Sequence, residues 1–164
     1  MKKEVNKRNK RRTLGLIGLN TAGVLPIAHE IYQSVIIDLH KGEIYRKEKP
    51  RELIEGACLE GGSDYSGRKR YALLTFGYKN KAPIGIKPYN RIYTFPTMSP
   101  ELFECMWIFP AHIKDMYAIS DKETLILFRN DVELIVPVSY EILKEQKQRT
   151  YHCSAHFDHW SRDE

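Results

Sequence analysis

At 164 residues the chain is long enough to bury a hydrophobic core without staples and too short for two ordinary domains. A composition of 42% hydrophobic and 29% charged residues, with no apolar run of spanning length, sets aside a membrane-embedded protein. Three widely spaced cysteines, Cys58, Cys105 and Cys153, are odd in number and form no C-x-x-C pair, which argues against a disulfide framework or zinc ribbon and suits a reducing cytoplasm.

The net charge of +5 is unevenly held. Residues 1–12, MKKEVNKRNKRR, carry seven of the 26 Lys and Arg and one of the 21 acids, leaving 19 cations against 20 acids in the rest. These twelve residues read as a disordered basic arm, followed by a domain over 13–157 and a polar tail over 158–164. The arm, the Arg11-Arg12 pair, the apolar segment LGLIGLNTAGVLPIA and small Ala28 together imitate a secretory or twin-arginine signal. Asn20 and Thr21 in mid-run, the helix-weakening glycines and Pro26 favour two short strands instead, LGLIG and GVLPI, joined by a turn at residues 20–23.

Further along, YQSVIIDLH and EIYR have strand composition and a turn between them at Lys41-Gly42. The period then changes. Pro50 suits a first helical turn, Leu53, Ile54, Ala57 and Cys58 recur at helical spacing, and Gly61-Gly62 supply a stop. Ser63 or Asp64 can cap a second helix through YSGRKRYALLTF, on which Arg68, Lys69 and Arg70 point at successive angles and cannot all face one surface. Prolines 83, 88, 96 and 100 confine the next strands to short or edge pieces. HIKDMYAI, ETLILF and VELIVPV, separated by turn-forming triplets, predict an antiparallel meander. Ser139 caps a final helix whose apolar face includes Ile142 and Leu143. The whole predicts an α+β domain: short N-terminal strands, two central helices, a β-meander and a C-terminal helix.

Four constellations bear on function. The glycines of Gly62-x4-Gly67 have phosphate-loop spacing, but Arg68-Lys69 stand where Lys followed by Ser or Thr is required, and a helix rather than a strand leads in. His152, His156 and His159 fall at one-turn intervals if helical, a candidate metal set by spacing alone at a segment end; incidental histidines are the preferred reading and no metal or cofactor is expected. Cys105 and His112 lack a recognisable orienting group, and Cys105 in FECMWIF reads as a small core residue, so no catalysis is expected. Finally, Arg68, Lys69, Arg70, Lys79, Lys81, Lys87 and Arg91, with Arg8, Arg11 and Arg12 of the arm, are the candidate contacts to a nucleic-acid backbone. No helix-turn-helix, zinc-finger or basic-zipper spacing accompanies them, whereas an arginine-rich arm suits a narrow A·T minor groove.

CLEGGSDYSGRKR, KAPIGIKP, YTFPTMSP, ECMWIFPAHIKD and SYEILKEQKQRTY, in this order, resemble the ComK family of competence transcription factors of Gram-positive bacteria. Tyr65, Gly67, Arg68 and Lys69 match its Tyr-x-Gly-Arg-Lys signature, and Lys81, Pro83, Ile84, Trp107, His112, Gln146 and Arg149 match further positions. The resemblance implies a cytoplasmic activator of DNA-uptake genes that binds paired A/T-rich boxes through the minor groove of double-stranded DNA, as a homo-oligomer. Arg68 and Lys69 are the leading phosphate contacts, while Phe95 and Trp107 are expected in the core. It also implies an adaptor and a Clp protease as partners, through a C-terminal extension that familiar members carry past the position where this sequence ends. A shortened paralogue that associates with a full-length relative without binding DNA is the alternative.

Overall fold

The computed structural model describes residues 14–162, with side chains as far as His159; Arg8, Arg11 and Arg12 of the basic arm lie outside the described residues. In chain order the elements are β1 (Thr21–Pro26), β2 (Ser34–Asp38), β3 (Gly42–Arg46), α1 (Pro50–Glu60), α2 (Tyr65–Phe76), β4 (Ile84–Lys87), β5 (Ile92–Pro96), β6 (Trp107–Ile108), β7 (Ile113–Ser120), β8 (Glu123–Phe128), β9 (Glu133–Val136) and α3 (Tyr140–Arg162). The strands form an antiparallel six-stranded sheet in the order β3-β2-β1-β6-β5-β4 and a separate meander β7-β8-β9. This is the α+β arrangement the pattern predicts.

The large sheet is covered on both faces, and the period-two geometry of a strand decides which residue meets which layer. Val24 and Ile36 face Leu53, Ile54, Ala57 and Cys58 of α1, together with Trp107 and Phe109. Leu25, Val35, Ile37 and Phe95 face the meander residues Ile126, Phe128 and Val136, and Leu143 of α3. Phe95 and Trp107 are core residues, as the sequence suggests. Two-residue β6 closes the sheet, since it pairs with both β1 and β5.

The expected strand at LGLIG is not present. Gly15 takes a left-handed φ of 74°, and the Gly18 N–H donates to Thr21 Oγ1 at 3.0 Å, closing a turn before the first strand begins at Thr21. Of residues 20–23, expected as a turn, Asn20 stays in a turn and residues 21–23 enter the strand instead. That strand is central and buried, with Ala22 and Val24 fully inside. The prolines confine these strands as predicted: β4 is a four-residue edge strand, and β5, between β6 and β4, runs for five residues and ends on Pro96.

Helix boundaries follow local chemistry. Pro50 occupies the first turn of α1, and Asp64 caps α2 by accepting from the Gly67 N–H at 2.7 Å. Ser139 Oγ accepts from the Ile142 N–H at 3.4 Å to start α3. From there Leu143, Gln146, Thr150 and Cys153 recur every three or four residues and form the buried face, while Ile142, expected beside Leu143, is exposed. The helix runs on through the histidines to Arg162. Among the described residues no helix is long and apolar enough to cross a membrane.

Candidate nucleic-acid interface

The signature residues 65–69 divide into parts with different jobs. Tyr65 is buried, edge-on to Trp107 at 6.1 Å between centroids, with the Arg51 guanidinium 5.1 Å from its ring; burial pushes its hydroxyl up to about 12. Gly67 is packed under its own cap: a Cβ there would lie 2.9 Å from Asp64 Oδ1 and from Ser63 Oγ. The Asp64 carboxylate thus holds the Gly67 N–H that a phosphate at this helix start would use, a second reason to set aside a phosphate loop. Arg68, expected as a leading phosphate contact, turns back instead. Its Nη2 donates to the Gly61 carbonyl at 3.1 Å, at the C-terminal end of α1, where the last turn has no basic residue of its own. Its Nε is buried with no hydrogen-bond partner among the described residues. Only Lys69 of the signature is an exposed cation, and Arg70 beside it is exposed as well.

Lys69 meets Lys79 and Lys81 in one cleft, walled by Tyr65 and Ser99. Lys79 and Lys81 also line an adjoining cleft against α3, with Arg149, and Lys81 lines a third with Lys122, Thr97, Ser99 and Ser139. The three depressions share Lys81. Three acids are also present: Glu145 pairs with Arg149 at 3.0 Å, Glu101 pairs with Arg51, and Asp121 sits beside Lys122. Among the described residues Lys69, Lys79 and Lys81 form no ion pair, which leaves their ammonium groups available to an anion.

Local chemistry fixes the lysine loop. Gly77 ends α2 in the left-handed region at φ 74°, its N–H on Leu73 O and the next N–H, of Tyr78, on Ala72 O. Tyr78 stacks on Phe76 at 5.3 Å and carries the Arg149 guanidinium 4.7 Å from its ring centroid. Arg149 Nη1 also donates to Asn80 O at 3.4 Å. The buried Gln146 amide donates to Lys81 O at 2.8 Å and to Pro96 O at 3.1 Å. Lys81 itself stands at φ 52°, a conformation that costs a non-glycine residue about 1–2 kcal/mol and persists only when its surroundings impose it.

The remaining candidates are not gathered here. Lys87 pairs with Glu60 at 3.1 Å and is mostly buried, and Arg91 pairs with Asp158 at 3.2 Å; both lie at the β4–β5 connection and are engaged by carboxylates. Lys122 and Arg149 were not singled out as contacts by the sequence, since charge clustering ranks neighbours along the chain and these two reach the clefts from the β7–β8 turn and from α3. The histidines are spread by their helix: His152 is exposed, and His156 Nδ1 lies 2.7 Å from the Tyr71 hydroxyl. Among the described residues no group of three or more His, Cys, Asp or Glu is placed to hold a metal ion. Cys105 and His112 are each hydrogen-bonded to a backbone carbonyl elsewhere. The Cys105 thiol donates to Met98 O at 3.5 Å and its pKa is raised by burial, while His112 Nε2 lies 2.5 Å from Leu19 O and its pKa is lowered by burial.

A layered α+β domain with a lysine-lined cleft over one helix and one loop is the class these features define. The chain belongs to the ComK family, whose family model, described as ComK protein, matches residues 16–162. It is similar to the competence transcription factor of Bacillus subtilis (strain 168), at 33% identity over 106 residues, which is 65% of this chain and 55% of that protein. The chain therefore spans about half the length of this curated relative. No solved structure gives a significant match.

Proposed function

We propose that this chain is a cytoplasmic DNA-binding regulator of genetic competence, a transcription factor and not an enzyme, that selects A/T-rich boxes in double-stranded DNA and contacts them through the minor groove as a homo-oligomer. The observation that carries the reading is the convergence of Lys69, Lys79 and Lys81, unpaired among the described residues, on one cleft in a chain of the ComK family. Ammonium groups held at a concave surface neutralise phosphates and release their counterions, which supplies affinity without sequence preference. Selectivity then rests on groove width, which an arginine-rich arm reads best in A·T tracts; Arg8, Arg11 and Arg12 are the residues of that type, with Arg70 as a flanking contact.

Fluorescence anisotropy on A·T-box DNA and on scrambled A·T-rich DNA, over a salt series, tests it. Tighter binding to the box, with affinity falling steeply as salt rises, is the expected result. Equal and weak binding to both probes would favour the alternative, a paralogue that acts by associating with a full-length relative.

A further inference from the structure

The meander shows one buried face and one open face, and the register makes the open face chemically uniform. Ile126, Phe128 and Val136 point inward, so Glu123, Leu125 and Leu127 of β8 point outward. Opposite Leu125 stand Tyr117 and Ile135; opposite Leu127 stand Asp115 and Glu133; opposite Glu123 stands Ser120. The outer surface is therefore an apolar row of Tyr117, Leu125 and Ile135 with carboxylates on either side; the exposed Lys114, at the bulge beside Asp115, is paired with Asp131 at 3.3 Å. Tyr117 and Ile135 are 49% and 55% exposed, far more than an antiparallel sheet leaves open when both of its faces are packed.

Helix α2 presents the opposite surface. YSGRKRYALLTF contains three cations and no acid, and it buries only Tyr65 and Ala72. Arg70, Leu73 and Leu74 lie one turn apart on its open side, with Lys69 at the edge; Leu73 is 40% and Leu74 72% exposed. Arg70 makes no ion pair among the described residues. The two surfaces also agree in length, since a twelve-residue helix spans about 18 Å and a six-residue strand about 20 Å.

We infer that the open face of α2 on one copy of this chain docks across the open face of the meander on a second copy, leucines on the apolar row and cations toward the flanking carboxylates. The contact joins two different patches, so it is heterologous, and a pair of chains retains one free helix face on one copy and one free meander face on the other. One helix laid on one small sheet is a modest area, which makes the association weak and dependent on concentration and salt. It does not rest on the DNA reading, because it forms without DNA; at Arg70, a flanking contact in that reading, DNA and the meander compete.

Complementary half-knockouts test it by light scattering after size exclusion, without nucleic acid. Arg70→Glu with Leu74→Glu disables the helix face; Glu133→Lys with Ile135→Lys disables the meander face; all four positions are exposed, and an unchanged circular dichroism spectrum checks each fold. The unaltered chain should rise above its monomer mass of 19.2 kDa as concentration increases, and pass beyond twice that mass. Each variant alone should stay monomeric, while their equimolar mixture should stop at twice the monomer mass, because just one intact contact remains. An unaltered chain that is monomeric at all concentrations, as when its own basic arm covers the meander, overturns the inference. So does a mixture that stays monomeric while the unaltered chain associates, which would mean a like-to-like contact or another surface.

Discussion

The side-chain amide of Gln146 and the backbone carbonyl of Lys81, 65 residues apart in sequence, are joined by a 2.8 Å hydrogen bond. The same amide reaches Pro96 O, so one buried side chain ties the strained lysine of the cleft both to α3 and to the end of β5. Replacing Gln146 by Leu leaves two carbonyls without their donor, at a cost of about 1–3 kcal/mol, and should lower the urea midpoint without changing the slope of the transition. Gln146→Glu should do worse at neutral pH, since a carboxylate facing two carbonyl oxygens cannot donate. Its folded-state pKa would rise above the ordinary value of about 4.3, so the stability it withholds at neutral pH should return as the pH falls toward that value. Urea titrations at pH 7 and pH 5 measure both effects, and equal midpoints for Gln146→Glu and the parent at pH 7 would remove Gln146 from this role.

Arg68 and Lys69 are neighbours with opposite duties. Arg68→Ala removes a charge-assisted bond to the Gly61 carbonyl at the end of α1, and a loss of about 1–2 kcal/mol is expected, read as a lower thermal midpoint. Lys69→Ala removes an exposed ammonium and should leave the midpoint unchanged while weakening DNA binding. Measuring both single variants by melting and by anisotropy separates the two; a lower midpoint for Lys69→Ala, or none for Arg68→Ala, would contradict the geometry.

This pair shows what the sequence makes legible and what it does not. Element types and most boundaries come from local signals: Pro50 and Asp64 start helices, alternating apolar residues mark β8, and Leu143 marks the buried face of α3. The Gly15 turn is not legible because LGLIG has strand composition, and a left-handed glycine within it is set by the later Thr21 hydroxyl and by the Glu60 carboxylate that accepts from the Gly15 N–H. Within the candidate site, sequence proximity ranked Arg68 with Lys69, whereas a helix turns successive residues by about 100° and sends them to different surroundings. Lys87 and Arg91 looked available because Glu60 and Asp158, their partners, are 27 and 67 positions away. Contacts of that kind are invisible to composition and spacing.

If Lys79 and Lys81 each neutralise a phosphate, each should contribute about one unit to the slope of log K against log salt. Lys79→Ala and Lys81→Ala should each flatten that slope by about this amount and weaken box and scrambled DNA alike, since phosphate contacts carry no sequence information. Lys87→Ala, which removes the ion pair with Glu60 and lies outside the cleft lining, should leave the slope unchanged. A slope insensitive to both cleft lysines would move the interface elsewhere.

Alkaline pH should unfold the protein from its interior. Burial pushes the Cys58 and Cys153 thiols and the Tyr65 hydroxyl each up to about 12. In the unfolded chain thiols ionise near about 8.5 and tyrosine near about 10, so above those values the unfolded state has lost protons that the folded state still holds. The folded state then binds more protons, and stability must decline with rising pH, a decline that begins near about pH 9 with the thiols, deepens near about pH 10 with Tyr65 and ends only as the folded groups themselves ionise. Thermal midpoints between pH 7 and pH 11 should therefore fall progressively above about pH 9, and Cys153→Ala should lessen that dependence even though it leaves a cavity at neutral pH. At pH 8 the same protonated thiols, 0% and 2% exposed, should react with a disulfide reagent only as fast as the protein opens. Rapid labelling of Cys58 and Cys153 in the folded chain, with a midpoint constant to pH 11, would mean that these thiols are not enclosed as the packing requires.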